Sequence, residues 1–179
     1  MRLCPSSTDL WVKSMKTIEI LGENREPTYI KTFEGCRGIL IIEGKILLSY
    51  EKNVDQYLIP GGGREGDESL CECCIRELIE ECGVVVSPHT HYLTLEEYYH
   101  EYYFKSHYFI CDKLGEQERN LTEAEKERGL EPRWVNFDEA LNIFGTYENY
   151  KDTDEMRYGA YYREYLALTE YRKEQNNEK

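Results

Sequence analysis

The segment 60–84 constrains the fold most, because a glycine-rich stretch runs directly into a helix that has sequence signals at both ends. The proline and three glycines at its start predict a loop. Over Ser69–Cys82, apolar residues recur at every third or fourth position, which is the pattern of an amphipathic helix. Ser69 and Glu72 fit a capping box, and Gly83 fits the C-terminal cap. The segment therefore predicts a loop, a helix and a second loop.

Strand patterns lie on both sides of this segment, and further helices are predicted towards the C-terminus. The stretch Cys36–Tyr50 contains two β-rich runs joined at Glu43-Gly44, a turn signal between apolar strands, and predicts a hairpin. The region Asp154–Glu174 has tyrosine and leucine at helical spacing and predicts an amphipathic helix. Further strands are predicted at Lys16–Leu21, Tyr57–Ile59, Val84–Val86, Tyr92–Tyr99, Tyr102–Asp112 and Arg133–Val135, and short helices after Thr122 and Asn136.

The length of 179 residues predicts one domain with short additions, because domains cluster around 100–150 residues. We expect a poorly ordered N-terminal extension at 1–14, a main domain at 15–150, and an amphipathic helix and tail at 151–179. The apolar face of that helix needs a cover. It packs either on the domain or on a second copy of the chain, so a homodimer is one of two alternatives.

The net charge excludes several classes of partner. Lysine and arginine number 22 and aspartate and glutamate 35, which gives a net charge of −13. Such a field repels polyanions, so we expect neither nucleic-acid binding nor binding to an anionic membrane surface. A polyphosphate substrate would need metal ions to mediate its binding. No stretch has the roughly 18 apolar residues of a membrane helix, and no signal peptide is evident, so we expect a cytoplasmic location.

The seven cysteines are too sparse for a disulfide scaffold and fit free thiols in a reducing compartment. Cys71, Cys73, Cys74 and Cys82 fall on the predicted helix. One helix cannot direct four sulfurs to a single tetrahedral centre, so we expect core thiols and not a zinc site.

Three carboxylates share one edge of the predicted helix. At about 100° per residue, Glu77, Glu80 and Glu81 lie within a single turn, at spacings where like charges lower stability. A hard cation such as Mg²⁺ or Mn²⁺ could compensate, since it takes oxygen ligands from carboxylates. The alternative is an exposed acidic helix face, which these three residues alone would favour.

The rest of the segment decides between these alternatives. Nine residues stand at the positions of the pattern G-x₅-E-x₇-R-E-U-x-E-E-x-G-U, where U is a bulky aliphatic residue: Gly62, Glu68, Arg76, Glu77, Leu78, Glu80, Glu81, Gly83 and Val84. The segment thus resembles the Nudix box of the Nudix hydrolase family, without a departure. A chance match has odds on the order of 10⁻⁷. The resemblance extends roughly from Glu34 to Gly145.

The resemblance implies a Nudix fold, an α/β/α sandwich in which a mixed β-sheet lies between helices. It also implies Mg²⁺- or Mn²⁺-dependent hydrolysis of a pyrophosphate linkage in a small molecule, a nucleoside diphosphate linked to a further group X. The implied metal ligands are Glu77, Glu80 and Glu81, and Glu77 is the candidate to activate water.

The resemblance also implies supporting residues around these ligands. Glu68 and Arg76 would form an ion pair that supports catalysis. Gly61 and Gly62 would bring backbone close to the metal and to the substrate phosphates.

Two questions stay open in the sequence. Some family members use a further glutamate from beyond the box as ligand or base, and the candidates here are Glu116, Glu118, Glu123 and Glu125. The second question is whether the chain is an enzyme or a non-catalytic module that senses a nucleotide and regulates a partner. The complete box favours the enzyme, and other chemistry on the same fold, such as isomerisation, is a third alternative.

Overall fold

The structure, a computed structural model, describes residues 16–21, 31–99 and 102–177. The extension predicted at 1–14 lies outside the described residues. The strands are β1 (Lys16–Leu21), β2 (Lys31–Ile42), β3 (Lys45–Glu51), β4 (Gln56–Leu58), β5 (Gly61–Gly63), β6 (Val84–Tyr98), β7 (Tyr102–Glu116) and β8 (Leu130–Asn136). The helices are α1 (Leu70–Cys82), α2 (Glu123–Arg128), α3 (Phe137–Phe144), a 3₁₀ turn (Tyr147–Tyr150) and α4 (Glu155–Asn177).

The described strands form a mixed sheet in the order β1-β6-β7-β2-β3-β4, in which β5 also pairs with β2 and β8 with β3. Strand β1 is parallel to β6 and β2 is parallel to β7, while the remaining pairs are antiparallel. Helix α1 packs on one face over a core rich in cysteine, and α3 and α4 pack on the other face over a second core. The predicted α/β/α sandwich with a mixed sheet is confirmed.

The predicted hairpin is formed by β2 and β3. Ile42 pairs with Lys45, so two residues make the turn between them. Glu43 and Gly44 have φ angles of 51° and 75°, as a type I′ turn requires at both central positions. The hairpin places Ser49 of β3 beside α1, where it contacts the acidic edge of that helix.

The prediction that the three glycines form a loop is wrong. Gly61, Gly62 and Gly63 form strand β5, which pairs antiparallel with residues 35–37 of β2. Gly61 has a φ of 148°, and a Cβ there would collide with the carbonyl oxygen of Cys36. Glycine is therefore what allows this backbone to close on β2. A second correction concerns the strands predicted at Val84–Val86 and Tyr92–Tyr99, which are one strand, β6, with irregular register near Pro88.

Helix α4 confirms the helix predicted over Asp154–Glu174, with a slightly later end. Tyr161, Ala167 and Leu168 are buried in the core beneath it, so its apolar face is covered by the same chain. This removes the argument for a homodimer that rested on that face. The division of the chain at 15–150 and 151–179 stays a prediction.

The six described cysteines are free and buried, as expected for core thiols. Four of them lie on α1 and pack with Cys36 and Cys111 against the sheet. Among the helices within the described ranges, none is long and apolar enough to cross a membrane. The cytoplasmic location stays a prediction.

Candidate active site

Helix α1 begins and ends where the sequence predicts. Its bounds determine which side of the helix carries the acidic edge, formed by Glu77, Glu80 and Glu81. The Ser69 hydroxyl accepts from Glu72 N at 3.2 Å, and the Glu72 carboxylate accepts from Ser69 N at 2.8 Å. Gly83 has a φ of 70°, and its N–H donates to the carbonyl of Ile79 at 2.8 Å. These caps satisfy backbone groups at both ends of the helix.

Arg76 is the centre of the acidic edge. Its Nε and Nη2 atoms donate to the two carboxylate oxygens of Glu68 at 3.0 and 2.7 Å, a bidentate pair. Its Nη1 donates to Glu77 Oε1 at 2.8 Å and to Glu80 Oε2 at 3.0 Å. Nη2 also donates to the carbonyl oxygen of Gly63 at 2.8 Å. One guanidinium thus joins three carboxylates of the box to strand β5.

Glu81 lies on the inner side of this edge and has different partners. It accepts from the Ser49 hydroxyl at 2.6 Å and from Gly61 N at 3.2 Å, both through Oε2. Glu81 is buried, as is Glu77, while Glu80 is half-buried. Of the three predicted metal ligands, Glu77 and Glu80 are therefore held by Arg76, and Glu81 is held by Ser49 and Gly61.

Gly62 contacts the carboxylate of Glu77 directly. A methyl group at position 62 would lie 2.6 Å from Glu77 Oε1 and 2.7 Å from Oε2, well inside van der Waals contact. Any larger residue would displace the Glu77 carboxylate or the backbone of β5. Gly61 and Gly62, predicted to lie near the metal and phosphates, are thus the backbone against which Glu81 and Glu77 pack.

Burial is the main influence on the proton affinity of the inner acids. It raises the pKa of Glu81 to about 8, against the hydrogen bond from Ser49, which lowers it. Burial also raises the pKa of Glu77, with the Arg76 charge acting in the opposite direction. The hydrogen bonds from Arg76 instead lower the pKa of Glu68 to about 2. Glu68 is the firmly ionised partner of Arg76, whereas burial favours the protonated forms of Glu77 and Glu81.

The donor set fits a hard cation, although the carboxylates do not converge on one point. Within residues 16–21, 31–99 and 102–177, no three histidine, cysteine, aspartate or glutamate side chains converge as metal ligands. The reason is visible in the contacts. Arg76 Nη1 lies between Glu77 and Glu80, and Glu81 faces Ser49 and Gly61. Carboxylate oxygens are nonetheless the ligands that Mg²⁺ and Mn²⁺ prefer.

The structure separates the four candidates for a further glutamate. Glu116 and Glu123 are exposed and form ion pairs with nearby lysines, and Glu118 is exposed. Glu125 is half-buried at the start of α2, where it accepts from Thr122 N at 2.7 Å. After burial and the neighbouring Glu80, the charge of Glu125 also raises the pKa of Glu77. Glu125 is therefore the candidate of the four that the electrostatics connect to the box.

Sequence reasoning missed Ser49 and Arg37. Ser49 orients Glu81, and Arg37 lies on β2 beside the backbone of Gly61. Each is a polar residue within an otherwise apolar strand pattern, in KILLSYE and CRGILII. A buried polar side chain needs a hydrogen-bond partner, so this interruption was the available signal.

Comparison with known proteins identifies the family of the chain. The NUDIX domain model matches residues 33–155, which is more than half of the chain and includes the whole box. The chain belongs to the Nudix family. This membership and the complete box support a Nudix-type pyrophosphohydrolase, the class that the sequence predicted.

Solved Nudix structures share the fold. A NUDIX hydrolase from Nitrosomonas europaea is 20% identical, with 63% of this chain and 78% of that protein covered and a TM-score of 0.55. A UDP-X diphosphatase is 19% identical, with 62% of this chain and 53% of that protein covered and a TM-score of 0.51. At these identities the likeness shows the fold alone. No curated protein has a significant match to the chain.

Proposed function

We propose that the chain hydrolyses, with Mg²⁺ or Mn²⁺, a pyrophosphate linkage in a small molecule of the nucleoside diphosphate-X type. The observation that carries this proposal is the grouping of carboxylates beside the β5 backbone: Glu68, Glu77 and Glu80 contact Arg76, and Glu81 accepts from Gly61 N. Membership of the Nudix family supports it, since Nudix hydrolases generally act on nucleotide-type molecules with divalent metal ions.

Electrostatics supports a role for the cation. The chain has a net charge of −13, and the site adds an excess of carboxylates, so a diphosphate would be repelled without a counter-charge. When bound, a divalent ion neutralises charge on the phosphates and lowers the pKa of bound water towards neutrality.

Glu77, Glu80 and Glu81 are the residues that would hold the ion. Arg76 Nη1 contacts one oxygen of Glu77 and one of Glu80, so an ion held by these same oxygens would displace this nitrogen. Arg76 would keep its contacts to Glu68 and to the Gly63 carbonyl, because these use Nε and Nη2. The role that we assign to Glu68 is to anchor Arg76 in this second arrangement.

The remaining residues orient the reacting groups. Ser49 and Gly61 N both hold Oε2 of Glu81, and we assign the ligand role to its other oxygen, Oε1. The contact between Gly62 and Glu77 fixes the distance between the helix and the backbone on which the phosphates would lie. We assign proton transfer from the attacking water to Glu77, with Glu125 as the further glutamate that supports it.

A panel of nucleoside diphosphate-X compounds, with the products identified, tests this proposal. We expect Mg²⁺-dependent release of a nucleoside monophosphate or phosphate. Glu80→Gln and Glu81→Gln should each lower the rate by about 100-fold or more, because each removes a charged ligand but keeps the side-chain shape. Glu139→Gln, at an exposed position of α3, is the control and should keep the wild-type rate.

Two results would count against the proposal. Wild-type rates in Glu80→Gln and Glu81→Gln would contradict the ligand assignment. Tight binding of a nucleotide without turnover in Mg²⁺ or Mn²⁺ would contradict the enzyme and favour the sensing module.

A further inference from the structure

A network of buried charges joins helix α4 to the sheet. Glu164 of α4 is fully buried and accepts from Arg163 Nη2 at 2.9 Å and from the Tyr108 hydroxyl at 3.0 Å. Its Oε1 also lies 3.5 Å from Nη1 of Arg37 on β2. Arg163 in turn donates to Glu97 of β6 at 3.3 Å. The network connects three strands of the sheet to α4 at one position.

Arg37 extends this network to the candidate active site. The same Nη1 atom donates to the carbonyl oxygen of Ile59 at 2.8 Å. Ile59 stands two residues before Gly61, whose N–H donates to Glu81 Oε2 at 3.2 Å. A methyl group at Gly61 would lie 2.7 Å from the Cα atom of Arg37, so the two backbones are in direct contact. A short, continuous path therefore runs from Glu164 to Glu81.

The charges of the network balance, and each of them depends on the others. Arg37 and Arg163 are two cations, and Glu97 and Glu164 are two anions, all of them largely withdrawn from water. Loss of one buried charge leaves its partner uncompensated, so such pairs hold their geometry strongly. Glu164 is the member that touches both arginines.

We propose that Glu164 is a positioning residue of the active site, which acts through Arg37 to fix the backbone of Ile59–Gly61 and thereby the orientation of Glu81. Glu164 lies beyond residues 33–155, the part of the chain that the family model matches. Helix α4 is thus an addition outside the matched domain that supports its catalytic residues. The inference rests on the proposed function only for the metal-binding role of Glu81.

Amide hydrogen exchange of the glycines tests the positioning without any need for activity. The exchange is measured in ¹⁵N-glycine-labelled protein. Glu164→Asp shortens the side chain and withdraws its carboxylate from Arg37. Arg37→Lys has one ammonium group, which cannot contact both the Ile59 carbonyl and Glu164. In both variants we expect the Gly61 amide to exchange about tenfold faster or more, because its hydrogen bond opens more often. The Gly129 amide, which donates to Lys126 at the end of α2, should not change.

A control on the same helix separates positioning from general stability. Glu170→Gln removes a carboxylate that is also largely buried and that pairs with Lys16 and Lys173, away from the network. It should leave the exchange of Gly61 at the wild-type rate. Tyr108→Phe removes only the hydroxyl that donates to Glu164, so it remains available if Glu164→Asp and Arg37→Lys both fail to fold. We expect the Gly61 amide to exchange about threefold faster in this variant.

Turnover gives the second readout. Measured per folded molecule and below the unfolding transition, kcat should fall about tenfold in Glu164→Asp, since a misplaced ligand affects the transition state. Glu170→Gln should keep kcat within about twofold of wild type. Unchanged exchange of Gly61 in the folded variants would overturn the proposal, and so would an unchanged kcat. If the wild-type protein has no hydrolase activity, the proposed function fails, and the exchange experiment still decides the positioning.

Discussion

Replacement of Gly62 by alanine is expected to separate activity from stability. The added methyl group would lie 2.6–2.7 Å from the carboxylate atoms of Glu77, so that carboxylate must move by up to about 1 Å to restore van der Waals contact. A misplacement of about 1 Å in a catalytic group lowers the rate by about 10²-fold. The movement also weakens the 2.8 Å contact with Arg76, which removes about 1 kcal/mol of stability.

The neighbouring glycines provide matched comparisons. Gly63→Ala meets no atom within 4 Å and should change the free energy of unfolding by no more than about 0.5 kcal/mol. Gly61→Ala meets the backbone of Cys36 at a φ of 148°, so it should lower the free energy of unfolding by about 3 kcal/mol or prevent folding. The free energy of unfolding should therefore decrease in the order Gly63→Ala, Gly62→Ala, Gly61→Ala.

The assay combines urea unfolding with the initial rate on the best substrate of the panel at saturating Mg²⁺. We expect Gly62→Ala to lose about 100-fold in kcat and about 1 kcal/mol in stability. Gly63→Ala should resemble the wild type in both. A Gly62→Ala protein with a kcat within about threefold of wild type would refute the argument that this glycine sets the position of Glu77.

Two further predictions concern Ser49 and His91. Ser49→Ala removes the 2.6 Å hydrogen bond to Glu81 and should weaken Mn²⁺ binding about tenfold in calorimetry; an unchanged affinity would rule out an orienting role for Ser49. His91 lies 3.1 Å from the Thr94 hydroxyl, and burial, followed by the nearby His107, lowers its pKa to about 4 from the usual 6.5. The unfolded chain binds a proton at His91 more readily than the folded chain, so stability that is present above pH 6.5 is lost as the pH falls towards 4. In urea unfolding, His91→Gln should reduce the loss of stability between pH 7 and pH 5 by about 1 kcal/mol. An equal loss in both proteins would contradict this reasoning, because it would mean that the pKa of His91 is the same in the folded and unfolded chains.

The sequence predicts α1 and its acidic edge well because their determinants are local. Ser69, Glu72 and Gly83 act on backbone groups within four residues of themselves, and the position of Glu77 relative to Glu80 follows from helix geometry alone. The hairpin at Glu43-Gly44 is predictable for the same reason.

The predictions that failed, or could not be made, depend on partners distant in the chain. Three glycines have no side-chain pattern, so the sequence contains no periodic signal of their pairing with residues 35–37. The sequence predicts a loop for this reason. Ser49 meets Glu81 only after β3 and α1 pack together. The contact of Arg37 with Glu164 joins residues that are far apart in the chain, and no local rule connects them.

The arrangement of Arg76 is the part of the site that the sequence describes least completely. The resemblance implies its ion pair with Glu68, and the structure has that pair. The additional contacts of Nη1 with Glu77 and Glu80 follow from the side-chain conformation, which a motif does not specify. A cation held by Glu77 and Glu80 would therefore share these two carboxylates with the guanidinium.

The most direct test of the account is a crystal structure with Mn²⁺ and a non-hydrolysable diphosphate analogue, in which anomalous scattering locates the manganese ion. The account predicts a manganese peak roughly 2.0–2.3 Å from carboxylate oxygens of Glu77, Glu80 and Glu81. It also predicts that Arg76 Nη1 has moved away from Glu77 and Glu80 while Nε and Nη2 remain on Glu68. The absence of a manganese peak at this edge, with Arg76 still bound to Glu77 and Glu80, would contradict the central claim.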